Sequence, residues 1–295
     1  MKTALLLASL LLTQAAIAER VTRETAAEPD GEVQIVNVSG SVHVIGWDQA
    51  KVQLVAELGS SAQELEFERD DDVTRIRVRW PRDERSRDER ADASDLTVRV
   101  PRESTVMVKT VSASQKVENV VGEQRLQSVS GAIVTSTSTE DLEAKTVSGE
   151  ISVTGNGKPT SSRVTSVSGA ITLEEVSGEF EISAVNGAIK VQSGQIEEGR
   201  FNTTNGEIRI DGTSTDDARI EAESINGAIY MTLRGQPNAA FDIESFNGAI
   251  RNCFGPKPRR TSEYAPGTVL RFSEGEGEGQ VRIKTLNGAI EICNK

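Results

Sequence analysis

The chain has 295 residues, with 33 Lys plus Arg against 45 Asp plus Glu, a formal net charge of −12 and one histidine, His43. That balance excludes a nucleic-acid binder, which needs a basic face to displace counterions from phosphate. One imidazole also leaves little for histidine-based catalysis or metal ligation, and the length suits one large domain or two ordinary ones.

Residues 1–18 read as an export leader. Lys2 gives a charged start, 4–12 is an uninterrupted apolar run, and Ala16-Ile17-Ala18 has the small-x-small form of a cleavage site. Cleavage is expected after Ala18. The apolar run is shorter than the ~18 residues needed to span a bilayer, and no later stretch qualifies. The mature chain is therefore expected in the periplasm, at the cell surface or secreted, with no transmembrane segment.

Next come strands at 33–38 and 41–45 around Ser39-Gly40, then at 52–56, 65–68 and 73–80. The stretch 81–90 is charged, mixed in sign and free of apolar residues, and reads as an exposed loop. Residues 96–101 then lead into a series of repeats. The whole of 19–105 is expected to be an N-terminal β cap with opening coils, because a bare first coil would pair with other chains.

From 106 to 295 the sequence repeats. The pattern is Ser or Thr, an apolar residue, Ser or Asn, Gly, a variable residue and Ile, first complete at Ser128-Val129-Ser130-Gly131-Ala132-Ile133. It returns at Gly149, Gly169, Gly187, Gly206, Gly227, Gly248 and Gly288, at intervals of 18, 20, 18, 19, 21, 21 and 40 residues. A degenerate copy, Thr110-Val111-Ser112-Ala113, precedes them. Two after the glycine stands Ile in every copy, and apolar residues stand five and seven before it in most. Alternation on both sides of a glycine means two half-buried strands per copy rather than helices.

The apolar column two before the glycine (Val129, Val147, Val167, Val185, Ile225, Phe246, Leu286) has the opposite parity, so the alternation slips at a corner or bulge. Parity alone allows either side of that corner. Ser-Gly and Asn-Gly suit it, since Gly takes positive φ freely and Asn tolerates it. Identical columns at a fixed period imply coils stacked in register, each on the one before: an all-β, parallel β-solenoid of about nine coils of 18–21 residues, roughly 40 Å long. A second corner is marked by Gly178, nine residues from both Gly169 and Gly187. Asn186, Asn205, Asn226, Asn247 and Asn287 should then form one ladder of amides along the axis. A second polar column lies three before the glycine.

The segments Gly-Ser-Val-His-Val-Ile-Gly-Trp-Asp (40–48), Leu-Thr-Val-Arg-Val-Pro (96–101), Val-Lys-Thr-Val-Ser (108–112) and Val-Arg-Ile-Lys-Thr-Leu-Asn-Gly-Ala-Ile (281–290) resemble the bacterial β-strand-repeat family whose members are called adhesins, a domain of unknown function. The resemblance covers nearly the whole mature chain. It implies a β-solenoid at an exported location, with surface adhesion as its role, and carries over no catalytic residue. Ala113 departs from it, where the pattern has Gly.

Cys253 and Cys293 each stand five residues after a corner glycine and share a column. They are disulfide neighbours if the 40-residue interval is one coil with an excursion, and out of reach if it is two. The prolines and the Glu-Gly run of 254–279 favour an excursion loop there, and hence the disulfide, which export permits.

Other candidates are weaker. The Glu-Gly run at 274–279 reads as a flexible hairpin rather than a Ca²⁺ loop, and 135–139 reads as a solvated turn. Asp216-Asp217 and Asp70-Asp71-Asp72 read as chance acidic neighbours rather than a glycosidase pair. Trp47 and Trp80 should close the cap, and His43 is structural or solvated. No cofactor or metal is expected. The favoured class is a non-catalytic exported protein, an adhesin or an envelope binding and scaffold protein, whose partner is a glycan or protein of the envelope or surface. A polysaccharide-cleaving β-helix enzyme and an envelope stress sensor partner are the alternatives.

Overall fold

The computed structural model describes residues 19–60, 62–80, 93–262 and 266–295. The export leader with its cleavage point and the charged stretch 81–90 lie outside the described residues. Within them the chain is all β, and its strands form one hydrogen-bonded sheet that winds on itself.

The N-terminal strands are β1 (Glu19–Ala26), β2 (Glu32–Asn37), β3 (Gly40–Trp47), β4 (Lys51–Leu58), β5 (Glu64–Asp70), β6 (Val73–Arg79) and β7 (Ser94–Pro101). The repeats supply β8 (Thr105–Thr110), β9 (Ser114–Glu118), β10 (Gln124–Ser128), β11 (Ile133–Ser136), β12 (Leu142–Thr146), β13 (Ile151–Thr154) and β14 (Pro159–Ser166). They continue as β15 (Ile171–Ala184), β16 (Ile189–Thr203) and β17 (Ile208–Ser224), each long enough to bend round the second corner and serve both faces. The chain finishes with β18 (Ile229–Leu233), β19 (Ala239–Ser245), β20 (Ile250–Asn252), β21 (Arg259–Arg260), β22 (Thr268–Glu274), β23 (Gly279–Thr285) and β24 (Ile290–Asn294).

Two faces result, one from strands that enter the glycine corner and one from strands that leave it. On the leaving face Ile133, Ile151, Ile171, Ile189, Ile208, Ile229, Ile290 and Ile250 are partners in unbroken register. All eight are buried, and each contributes about 1.5–3 kcal/mol by leaving water. The entering face answers with Leu126, Ala144, Val164, Ile182, Phe201, Ala222 and Ile283, so the core is a thin apolar slab between two parallel sheets. The second corner falls at Gly178, where φ is +101° and the register shifts.

The stack departs from sequence order at both ends. β23 lies between β17 and β19, and β24 between β18 and β20, so the Gly288 coil is seated beneath the Gly248 coil rather than on top of it. At the other end β2 lies between β6 and β8, and β3 between β7 and β9. The expectation that each coil rests on the one before it therefore fails for the first and the last coil.

The physical reason lies in the edges. A parallel stack ends in bare backbone, which invites pairing with other chains. Here antiparallel strands cover it: β5 on β6, and β4 on β7 with β1 beyond at one end, and β22 on β19 at the other. To reach these positions the chain runs outward along the edge and returns one place further in. Consequently β22 and β23, joined by the Glu-Gly run, do not pair with each other. They flank β19, and the expected hairpin at 274–279 is a strap across its start, where Asn238 Oδ1 accepts from the backbone amides of Glu276 and Gly277.

Candidate functional site: the glycine corner

At each corner the backbone of one coil bonds to the next. The amide one before the glycine donates to the carbonyl two before the glycine in the neighbouring coil: Ser148 to Val129, Asn186 to Val167, Asn226 to Thr204, Asn287 to Ile225 and Asn247 to Leu286, all at 2.7–2.8 Å. The corner glycines Gly131, Gly149, Gly169, Gly187, Gly206, Gly227, Gly248 and Gly288 do not take positive φ. The reading of these positions as positive-φ turns is thus corrected. Glycine is required by approach: a Cβ on any of them would stand 1.7–2.2 Å from the carbonyl oxygen of the corner residue beneath. Ala113 fits at the start of the series, buried, with its amide bonded to Val38 O.

The Ser/Thr column three before the glycine faces inward. Thr146 Oγ1 and Ser166 Oγ accept from the amides of Gly149 and Gly169, and Thr285 Oγ1 donates to Gly227 O. The amides of the asparagine column form a chain on the outside: Asn205 Nδ2 donates to Asn186 Oδ1, Asn226 to Asn205, Asn287 to Asn226 and Asn247 to Asn287, at 2.7–2.9 Å. The order of that chain repeats the inverted order of the coils.

The apolar column two before the glycine points to solvent. Val111, Val129, Val147, Val167, Val185, Ile225, Leu286 and Phe246 are 40–50% exposed, with Thr204 filling the one polar place. At ~4.8 Å per coil they make a ridge of roughly 40 Å. From three before the glycine to one after it, the repeats from Val111 onward carry only two charges, Glu150 and Glu207, in a chain of which 26% is charged. The strip is thus apolar, exposed and poor in charge along its whole length. The column was visible in the sequence, and the corner geometry decides its side.

The remaining candidates do not converge. His43 Nε2 lies 2.6 Å from Glu118 Oε2, and Lys116 Nζ lies 2.9 Å from the other oxygen. Those two hydrogen bonds, Lys116 first, hold the Glu118 carboxyl below its usual range. Trp47 donates to Lys51 O with Lys51 and Arg99 against its ring, and Trp80 packs on the core edge. The solvated turn expected at 135–139 is corrected in part: Thr135 and Thr137 are buried, and Thr135 Oγ1 donates to Gln124 Oε1. Asp216 and Asp217 are exposed, and Asp71 turns between β5 and β6 with φ of 53°. No group of three or more His, Cys, Asp or Glu side chains among the described residues could hold a metal. Cys253 and Cys293 are bonded, with Cα atoms 4.7 Å apart.

One depression of about 680 Å³ lies over β16, β17, β23, β19 and β22, ringed by Arg200, Arg219, Arg271 and Arg282. Carboxylates are interleaved, and Arg271 is already bonded to Asp242 and Glu244. The lining of the depression also carries the carboxylates of Glu198, Glu221 and Asp242 and the hydroxyl of Ser273.

Taken together, fold and corner define a β-repeat, solenoid-like protein. Residues 57–293 match the family model described as Toastrack DUF4097, and the chain belongs to that family. No curated protein matches the sequence. Among solved structures it is similar to a "putative adhesin" of Parabacteroides distasonis (11% identity, 93% of this chain and 97% of that one, TM-score 0.46). Another, from Parabacteroides merdae, covers 93% and 96% at 10% identity and a TM-score of 0.43. A "putative lipid binding protein" of Parabacteroides distasonis covers 94% and 96% at 16% and 0.38. Likeness at this level carries no argument about function. No helix among the described residues is long and apolar enough to cross a membrane.

Proposed function

We propose that the chain is an exported, non-catalytic binding protein, an adhesin or a scaffold of the cell envelope, built as an N-terminal β cap at 19–105 and about nine coils of 18–21 residues at 106–295. The observation that carries this reading is the corner ridge, an exposed, nearly uncharged strip along the stack. Repeat stacks bind through such extended surfaces, with affinity spread over many equivalent positions rather than one pocket. The partner is a glycan or a protein of the envelope or of a neighbouring surface, and the strongly acidic remainder of the molecule is unsuited to nucleic acid. The leader-like composition of 1–18 supports a location in the periplasm or beyond the outer barrier.

The test is protease accessibility on intact cells compared with cells whose outer barrier has been opened. Digestion on intact cells supports the adhesin. Protection until opening removes it in favour of a periplasmic scaffold. Retention of the full precursor in the cytoplasm would overturn export altogether.

A further inference from the structure

The corner ridge fits a second copy of this chain. We propose that two molecules pair ridge against ridge, an inference that rests on the reading of the ridge as a binding surface and names its occupant. Area, charge and period point the same way. The eight exposed apolar residues from Val111 to Phe246 offer roughly 600 Å² between them, counting ~150–200 Å² for a fully exposed side chain of this size. Two ridges together clear the ~1,000 Å² that a specific interface needs.

The molecule as a whole carries −12, so two copies repel each other across most of their surfaces. The corner is the long strip on which charge is scarce, Glu150 and Glu207 being its two carboxylates. Its asparagines have spent their amides on one another along the axis, which lowers the cost of drying the strip when it is covered. A column of side chains at the strand-to-strand spacing is matched by another column at that spacing, as in the dry interfaces of stacked sheets. A second copy presents that column by construction, and the same patch on both partners gives a closed two-fold contact.

The experiment uses the protein expressed with its leader and purified after export. Sedimentation of the native chain across a wide concentration range should show a monomer–dimer equilibrium. The variant Val147→Glu/Val167→Glu/Val185→Glu changes three exposed positions and should weaken the dimer at least ~100-fold, whereas Val→Thr at the same places should weaken it far less. Val185 is the fifth of the nine ridge positions from Val111 to Phe246, so in either orientation of the pair it lies near its own counterpart. A Val185→Cys variant should therefore form an intermolecular disulfide under mild oxidation, and this holds as a test should the triple variant fail to fold. A native chain that is monomeric throughout overturns the proposal, and so does a dimer indifferent to the triple substitution or a Val185→Cys variant that does not crosslink. If the chain is monomeric and the triple Glu variant loses attachment to cells, the binding surface stands and its occupant is another molecule.

Discussion

A methyl group on Gly169 would lie 1.7 Å from the carbonyl oxygen of Gly149. Gly169→Ala must therefore push two coils apart, and a loss of about 2–3 kcal/mol in urea denaturation is expected. Ala170→Gly, one residue on and partly exposed, should change stability far less. The glycine ladder was legible as a repeat, but its cause was not, because dihedral preference and close approach select the same residue. Only the distance between coils separates them. Glu118 gives a prediction in pH. Its folded pKa is depressed by Lys116 and His43, so the stability it adds is present above the ordinary carboxylate range and is lost as pH falls through the folded value. Glu118→Gln should therefore lower stability in the neutral region, flatten the acid limb of a stability–pH curve and converge with the native chain at the acid end.

At the scale of elements, the chain resolves its edges by splitting neighbours. β3 and β4 are consecutive yet separated by β7, and β22 and β23 are consecutive yet separated by β19. Periodicity identified the repeat strands and most of those before them but not β1 or β22, and it placed the two cysteines in one column. It could not show that the excursion at 254–279 goes outward and returns inward, because pairing order leaves no mark on the alternation of a single strand. The Cys253–Cys293 bond ties the outermost strand, β20, to β24 beneath it. Closing a loop of this length stabilises by about 4 kcal/mol on the chain-entropy account. Cys253→Ser/Cys293→Ser should lower the urea midpoint accordingly, and hydrogen exchange should show the first loss of protection in β20 and β22 rather than in β10 to β14.

The whole molecule is a repeat array in which each terminal coil is held from both sides. In an ordinary array a deletion from one end removes the deleted repeats and spares the rest. Here a chain stopped before Gly279 would lack β23 and β24, which sit beneath β19 and β20. The expected outcome is loss of amide protection across 239–252 as well. Intact protection there would show that the Gly248 coil can settle directly on the Gly227 coil. The solenoid itself was legible from identical columns at a fixed period, and the ridge was legible as a column of uncertain side. The seating order was not, since the Gly248 and Gly288 coils carry the same motif and nothing in that motif distinguishes inner from outer.

That seating order has a consequence for biogenesis. A chain that crosses a membrane from its N-terminus delivers 239–252 before 279–294, so the slot between the Gly227 and Gly248 coils stands vacant while the strap and its return strand are still arriving. A vacant slot of strand width accepts the matching segment from any molecule. On the proposed export route, many copies emerging side by side are therefore expected to yield pairs that have traded their 279–294 segments, each copy completing the other.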